Sequence, residues 1–220
     1  MIFKKLVVLA GQTLAMGTVV LSQSAMAGMI THTFDFTADI DHKRGESLGH
    51  HALFMEDGLG LKVSALEMSS KGKWKQNKRD VWQDGWAYGR KGLGVKGSKG
   101  DNWEIDGLGA DEGLQLSFDW AVELLSIKTW FGDRNDDWNL SVKQGGDWIN
   151  LLDDSHHSSF NNSGIWTKDV IVWADHSNDS LSLKKIMVGD RKQSASVSEP
   201  GAISLMGIGL LGLWYSRRRA

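Results

Sequence analysis

The chain has 220 residues, of which 41% are apolar and 24% charged, a composition typical of a folded protein and not of a disordered one. It contains no cysteine, which excludes disulfides, thiolate metal sites and a cysteine nucleophile. The formal net charge is −2, and because basic clusters stand at both ends, the part between them is more acidic and is not expected to bind nucleic acid.

The N-terminus has the three parts of a secretory signal peptide. Two lysines precede an apolar run over residues 6–21, and the small residues Ala25 and Ala27 follow that run. The pattern predicts a signal peptide over residues 1–27, which signal peptidase removes before Gly28. A retained membrane anchor is the alternative.

Short runs of alternating apolar and polar residues dominate the middle of the chain. They lie at residues 30–36, 59–65, 114–118, 138–142, 170–173 and 181–188. Clusters of Gly, Asn and Asp separate them, as in antiparallel sheets with one buried face. Asp119–Thr129 could also form a helix, but its β-branched and aromatic neighbours favour a strand. We therefore predict an all-β fold, an antiparallel, jelly-roll-like β-sandwich, for an ectodomain at residues 28–193.

Two sets of acidic residues are candidate calcium ligands, because calcium prefers several oxygen ligands from carboxylates and amides. The first set is the loop Asp133, Asn135 and Asp137, and the second is Glu104, Asp106 and Glu112 on a glycine-rich connection. Asp175 and Asp179 have a spacing like that of the first set. Neither set has the complete EF-hand pattern, and the alternative is that these side chains cap solvated turns.

Tryptophan and lysine residues suggest a contact with polysaccharide. The candidate glycan-binding residues are Trp74, Trp82, Trp86 and Trp103, and the basic residues Lys71, Lys73, Lys75, Lys78 and Arg79 surround the first of them. Aromatic faces stack on sugar rings, and a basic patch attracts an anionic polymer. The alternatives are that the tryptophans pack in the core and that the lysines protect an edge strand.

No enzyme motif is present: the sequence has no nucleophile elbow, zinc-protease helix motif, phosphate loop or dinucleotide fingerprint. The histidine pairs at 50–51 and 156–157, with His176, do not predict a transition-metal site, because adjacent strand residues point to opposite faces. We expect a protein that is not an enzyme. The alternative is a polysaccharide-acting enzyme that uses Glu104, Asp106 and Glu112.

The C-terminus has three parts in a fixed order after a serine-rich linker. They are Ser198, Glu199 and Pro200, then an apolar run at residues 202–215, and finally Arg217, Arg218 and Arg219. A helix of about fifteen residues rises roughly 22 Å, which is short for a bilayer core of about 30 Å. The arginines would remain in the cytoplasm by the positive-inside rule, with the ectodomain outside the inner membrane.

This tail resembles that of the PEP-CTERM family of bacterial surface proteins, although Ser198 stands where the family's motif has its first proline. The resemblance implies that an exosortase processes the tail in the envelope. The short length of the tail helix favours a transient contact with the inner membrane over a permanent anchor. The family's hosts typically make exopolysaccharide. A looser resemblance to PEP-CTERM ectodomains covers Gly92–Val95, Glu104–Asp106, Glu112–Phe118 and Leu181–Val188. It implies a jelly-roll sandwich and assigns no activity.

The sequence therefore predicts three segments: the signal peptide, the ectodomain, and a linker with sorting tail at residues 194–220. We expect a protein exported by a Gram-negative bacterium to its envelope, outer surface or extracellular matrix. The expected role is a non-catalytic one in contact with exopolysaccharide, with calcium as the only candidate cofactor. A purely structural envelope protein is a further alternative beside the enzyme.

Overall fold

The computed structural model describes residues 28–37, 45–76, 79–85, 92–97, 103–191 and Arg217. The strands of this part are β1 (Ile30–Asp35), β2 (Glu46–Ser47), β3 (His51–Glu56), β4 (Leu59–Met68), β5 (Trp74–Lys75), β6 (Asp80–Gln83), β7 (Leu93–Lys96), β8 (Ile105–Asp106), β9 (Glu112–Phe131), β10 (Trp138–Gln144), β11 (Asp147–Ser155), β12 (Ser159–Ala174) and β13 (Ser180–Asp190). Their pairings are antiparallel, so the predicted all-β, antiparallel fold is confirmed. The helices predicted at the two ends lie outside the described residues.

Two long strands, β9 and β12, connect the halves of the sheet. Residues 112–118 of β9 pair with β4 and with the end of β12, whereas residues 123–131 pair with β13. The pairing of β12 with β9 shifts register between Thr167 and Asp169, where the ladder is irregular. One continuous sheet thus folds into two layers that share these strands. The first layer contains β3, β4, β10, β11, the first half of β9 and the end of β12, and the second layer contains β1, β13 and the second half of β9.

The core lies between the two layers and follows from the alternation seen in the sequence. Leu114, Leu116 and Phe118 point inward from the first half of β9, and each is at most 1% exposed. Phe34 of β1, in the other layer, packs against Phe118 with ring centroids 6.0 Å apart. The segment Asp119–Thr129 is part of strand β9, which confirms the preference for a strand over a helix.

A smaller apolar cluster lies on the outer face of the first layer. Leu66, Ile171 and Trp173 form it, and Trp74 packs on Trp173 in an edge-to-face arrangement with centroids 5.5 Å apart. This contact fixes the short hairpin of β4 and β5 against the sheet. The hairpin forms one wall of the cleft described below.

A cross-strand ion pair joins β1 to β13. Asp35 faces Lys185 in the ladder, and the Lys185 ammonium lies 2.7 Å from Asp35 Oδ2. Burial raises the pKa of Asp35, but hydrogen bonds from Lys185 and from Thr37 outweigh that effect and lower the pKa from 3.8 to about 2. The ionised carboxylate therefore favours the folded state.

We expect Asp35→Asn to remove an acid-sensitive part of the stability. Because the folded-state pKa is depressed, the stabilisation is present above the unfolded pKa of 3.8 and is lost as the pH falls towards 2. Because solvent screens this half-buried pair, the free energy of unfolding of the wild type should exceed that of the variant by about 1 kcal/mol at pH 6. Urea unfolding at several pH values measures the difference. If the difference in the free energy of unfolding is as large at pH 2 as at pH 6, or if the exposed control Asp147→Asn has an equal effect, the ionised Asp35 carboxylate does not stabilise the fold.

Candidate functional site

Three carboxylates and one imidazole converge at one edge of the first layer. One ligand atom from each of Asp137, Asp154, Asp175 and His176 can be chosen so that all four lie within 4.8 Å of one another. Asp137 immediately precedes β10, Asp154 lies near the end of β11, and the other two follow β12. We call these four residues the acidic cluster.

A bulge in β11 positions Asp154. Trp138 pairs with Ser155 and Leu140 with Leu152, so β11 contains one residue more than β10 between these pairs. Asp154 adopts a φ of 49°, a left-handed conformation that aspartate tolerates better than most residues. The bulge therefore directs this carboxylate to the side where β12 ends.

Buried Asn139 holds two members of the acidic cluster in place. Its side-chain Nδ2 donates to Asp175 Oδ1 at 2.8 Å, and its Oδ1 accepts the backbone N–H of Asp154 at 2.9 Å. Asn139 itself has no solvent exposure. The two carboxylates thus lie on a rigid support and not on free loops.

Asp137 is buried, and one of its two carboxylate oxygens lacks a hydrogen-bond partner within the described part of the chain. It is 7% exposed, and its Oδ1 has no hydrogen-bond partner among the described residues. Burial raises the pKa of Asp137, and the negative charge of Asp154 raises it further. A buried carboxylate oxygen without a donor is costly, so the folded protein tolerates an unfavourable arrangement here.

A further carboxylate, that of Asp179, lies against Asp137. Asp179 is 1% exposed and accepts the backbone N–H of His176 at 3.2 Å. Burial, and then the charge of Asp137, raise the pKa of Asp179 to about 6. The pKa of exposed His176 is also raised, first by Asp175. These shifts describe a concentration of negative charge that favours a cation.

The loop predicted to bind calcium contributes only one residue to the acidic cluster. Asp133 and Asn135 are exposed, and Asp133 Oδ1 accepts the backbone N–H of Asn135 at 2.7 Å. Asp136 Oδ2 accepts the backbone N–H of Asp133 at 2.6 Å. The Asp133 and Asp136 side chains therefore cap the turn, as in the alternative interpretation of the sequence, and Asp137 is the loop residue that belongs to the acidic cluster.

The second predicted calcium set is buried and held by interior contacts. Glu104, Asp106 and Glu112 are between 1% and 4% exposed. Glu104 accepts the hydroxyl of Ser180, and Glu112 forms an ion pair with Arg79. Asp106 Oδ1 accepts the backbone N–H of Leu108 at 2.9 Å. The structure places these carboxylates in the interior, and none of them belongs to the acidic cluster.

A polar cleft lies beside the acidic cluster, between the β4–β5 hairpin and the segment 109–111. Its volume is about 530 Å³, within the usual range for a small-ligand site. The lining residues are Glu67, Met68, Ser69, Ser70, Gly72, Lys75, Gly109, Ala110 and Asp111. The N–H of Met68 donates to the carbonyl of Asp111 at 2.8 Å, which ties the two walls together.

One lysine of the hairpin, Lys75, lines this cleft, and Lys71 and Lys73 lie on the turn of the same hairpin. Lys71, Lys73 and Lys75 are exposed, and hydrogen bonds from Lys73 N–H and to Lys73 O fix the turn through Ser69. Arg79 instead turns inward to Glu67 and Glu112, so it is not part of the basic surface. Lys78 lies outside the described residues. The hairpin therefore presents three cations beside hydroxyl groups.

The four candidate glycan-binding tryptophans have different surroundings. Trp74 is half-buried on the cleft hairpin. Trp82 is 8% exposed and stacks on Trp103 with centroids 5.3 Å apart, and the Lys96 ammonium lies 4.0 Å from the Trp82 ring. The Trp82 ring is therefore buried beneath its neighbours, whereas Trp103 is only partly buried. Trp86 lies outside the described residues.

Sequence reasoning did not select Asp154 or Asn139 as site residues. Asp154 follows another aspartate on a polar strand, and Asn139 lies within an apolar run, so neither has a local motif. The signal that could have found part of this site is that acidic residues follow two apolar runs. Asp153 and Asp154 follow Leu151-Leu152, and Asp175 follows Val170–Ala174. Antiparallel pairing brings these ends together, but the pairing partners are not visible in the sequence.

Comparison with families of known proteins gives a match for the sorting tail. Residues 196–219 match the model of the PEP-CTERM protein-sorting motif, which confirms the resemblance of the tail. The match implies processing by an exosortase and export to the cell envelope or surface. The matched residues lie outside the described part, except Arg217.

The ectodomain has weaker similarities. A search of curated proteins found no match. One similar solved structure is "GH31 CBM32-2 bound to GalNAc", with a TM-score of 0.28 and 11% identity over 75% of this chain and 99% of that one. A TM-score this low supports no conclusion about function. Within the described ranges, the structure has no helix long and apolar enough to cross a membrane.

Proposed function

We propose that this chain is a non-catalytic surface or matrix protein that contacts an acidic exopolysaccharide through the cleft at the β4–β5 hairpin. The observation that carries the proposal is the cleft itself, which Ser69, Ser70 and Lys75 line together with two acidic residues. One of these, Glu67, is already paired with Arg79. Hydroxyl groups match the hydrogen-bonding surface of a sugar, and lysines match its carboxylates. The sorting motif supports an encounter with such a polymer outside the cell.

The interior contacts of Glu104 and Glu112 support a role without catalysis. A glycosidase needs two carboxylates on either side of a bond that lies in an open site. Glu104 and Glu112 are 3% and 1% exposed and already hold Ser180 and Arg79. A substrate could reach them only if these contacts were broken.

Replacing the three hairpin lysines is the direct test. The ectodomain at residues 28–193 keeps the core cluster, which extends from Phe34 to Val188, so it is suitable for binding measurements. We expect Lys71→Ala, Lys73→Ala and Lys75→Ala together to weaken binding to a soluble polyuronate at least about tenfold, as each lost cation contributes at most about 1 kcal/mol. Wild-type binding should also fall as salt rises, because the contact is electrostatic.

A matched variant separates the cleft from net charge. Lys62 on β4, Lys128 on β9 and Lys168 on β12 are also exposed and do not line the cleft. Their triple alanine variant has the same charge. It should bind the polyuronate like the wild type. If both triple variants weaken binding equally, the polymer responds to overall charge and the proposed cleft is wrong.

A further inference from the structure

The acidic cluster has an unusual feature for a solvated surface. Turn-capping carboxylates normally accept backbone N–H groups, as those of Asp133 and Asp136 do here. Asp137 is instead nine-tenths buried, and its Oδ1 has no donor among the described residues. One ligand atom from each of the four residues of the acidic cluster lies within 4.8 Å of the other three, so a single ion could contact them together.

We propose that Asp137, Asp154 and Asp175 bind a divalent cation, and that this ion is Ca²⁺. The donors are carboxylate oxygens, which calcium prefers, and water can complete its flexible coordination on the exposed side. His176 stands at the rim with a side chain that is 54% exposed. It is not needed as a ligand in this arrangement.

The surroundings of the three carboxylates suit a built site. Asn139 orients Asp175 through a 2.8 Å hydrogen bond and anchors the backbone of Asp154. Metal sites typically have such second partners, which fix the ligands before the ion arrives. The ion would supply Asp137 Oδ1 with the partner that the protein does not provide.

A cation at this position would also brace the cleft. Gly107 packs so closely on the Asp175–His176 backbone that an added Cβ would lie 2.5 Å from the carbonyl oxygen of His176. The chain continues from Gly107 to residues 109–111, which form one wall of the cleft. An ion that fixes Asp175 therefore supports that wall. This cation site goes beyond the proposed function, and its test uses no polysaccharide.

The test is calorimetric titration and thermal unfolding of the chelator-treated ectodomain with Ca²⁺, Mg²⁺ and Zn²⁺. We expect one Ca²⁺ per chain and a rise in Tm of roughly 5–10 °C when Ca²⁺ is in hundredfold excess over its Kd. Asp137→Asn and Asp154→Asn should each weaken Ca²⁺ binding at least about tenfold. Asp154 is half-exposed, so its variant should fold even if a change at buried Asp137 does not.

Asp133→Asn is the matched control, because it removes a nearby carboxylate that lies outside the acidic cluster and retains an acceptor for Asn135. It should bind Ca²⁺ like the wild type. The proposal is overturned if Ca²⁺ produces neither heat nor a Tm shift, or if Asp154→Asn binds as tightly as the wild type. Tighter binding of Zn²⁺ than of Ca²⁺, abolished by His176→Ala, would overturn the calcium assignment.

Discussion

Phe118→Ala is expected to lower the free energy of unfolding by about 3–5 kcal/mol. Phe118 is 1% exposed at the point where β9 leaves the first layer, and its ring packs on Phe34 of the other layer. Truncation removes buried apolar surface and leaves a cavity between the two layers. Because the layers share strands, they cannot easily move together to fill it. Such a loss is a large part of the stability of an ordinary domain.

Chemical denaturation of the ectodomain measures this effect, with Leu53→Ala as control. Leu53 is 75% exposed on β3, so its truncation should change stability by less than about 0.5 kcal/mol. A double-mutant cycle with Phe34→Ala should give a coupling energy of about 0.5–1.5 kcal/mol. Equal effects of Phe118→Ala and Leu53→Ala would show that the two layers do not enclose the core as described.

The second large effect is expected from Arg79→Ala, which should cost about 3–5 kcal/mol. Arg79 lies just before β6 and forms ion pairs with Glu67 of β4 and Glu112 of β9. Glu112 is 1% exposed, so loss of the guanidinium leaves a buried carboxylate without its counter-charge. Removal of one partner from a buried pair is far more costly than removal of both.

The matched comparison is the double variant Arg79→Met with Glu112→Gln. It removes both charges and keeps most of the volume, so it should recover a large part of the stability lost in Arg79→Ala. Arg134→Ala, at an exposed arginine, controls for the loss of a positive charge alone. If Arg79→Ala has no larger effect than Arg134→Ala, the ion pair does not stabilise the fold.

The positions of the strands could be predicted because alternating apolar and polar residues along a strand face the core and the solvent in turn. Leu114, Leu116 and Phe118 all point to the core, and the run at residues 181–188 lies within strand β13. The sequence did not predict that residues 112–131 form one strand that serves both layers. That feature depends on the partners of each half, and a one-dimensional pattern contains no information on partners.

For the candidate sites as well, the sequence indicates residues that are close in the chain but not their partners from distant strands. Alternating Asp133, Asn135 and Asp137 suggested one calcium loop, but the Asp133 carboxylate accepts the backbone N–H of Asn135, and of the three only Asp137 belongs to the acidic cluster. The neighbours of Asp137 come from β11 and from the end of β12, through the bulge at Asp154. Likewise, Arg79 looked like part of a basic patch, whereas it pairs with Glu67 and with Glu112, which is 33 residues away in the chain.

The two sites are neighbours in the fold. Asp111 lines the cleft, and its pKa is raised first by burial and then by the charge of Asp175 in the acidic cluster. A cation at the cluster would reduce that negative charge beside the cleft. We therefore expect Ca²⁺ to strengthen the binding of an acidic polymer in two ways. It would stabilise one wall of the cleft, and it would reduce the electrostatic repulsion between the cleft and the polymer.

The central claim is contact with an acidic polysaccharide, and the most direct measurement is the affinity of the wild-type ectodomain for one. The polymer should be a polyuronate that calcium does not gel, compared with neutral dextran, first in Ca²⁺ and then in chelator. We expect the ectodomain to bind the polyuronate and not dextran, more tightly in Ca²⁺ than in chelator. Absence of binding to either polymer, or equal binding to both, would contradict the proposed function.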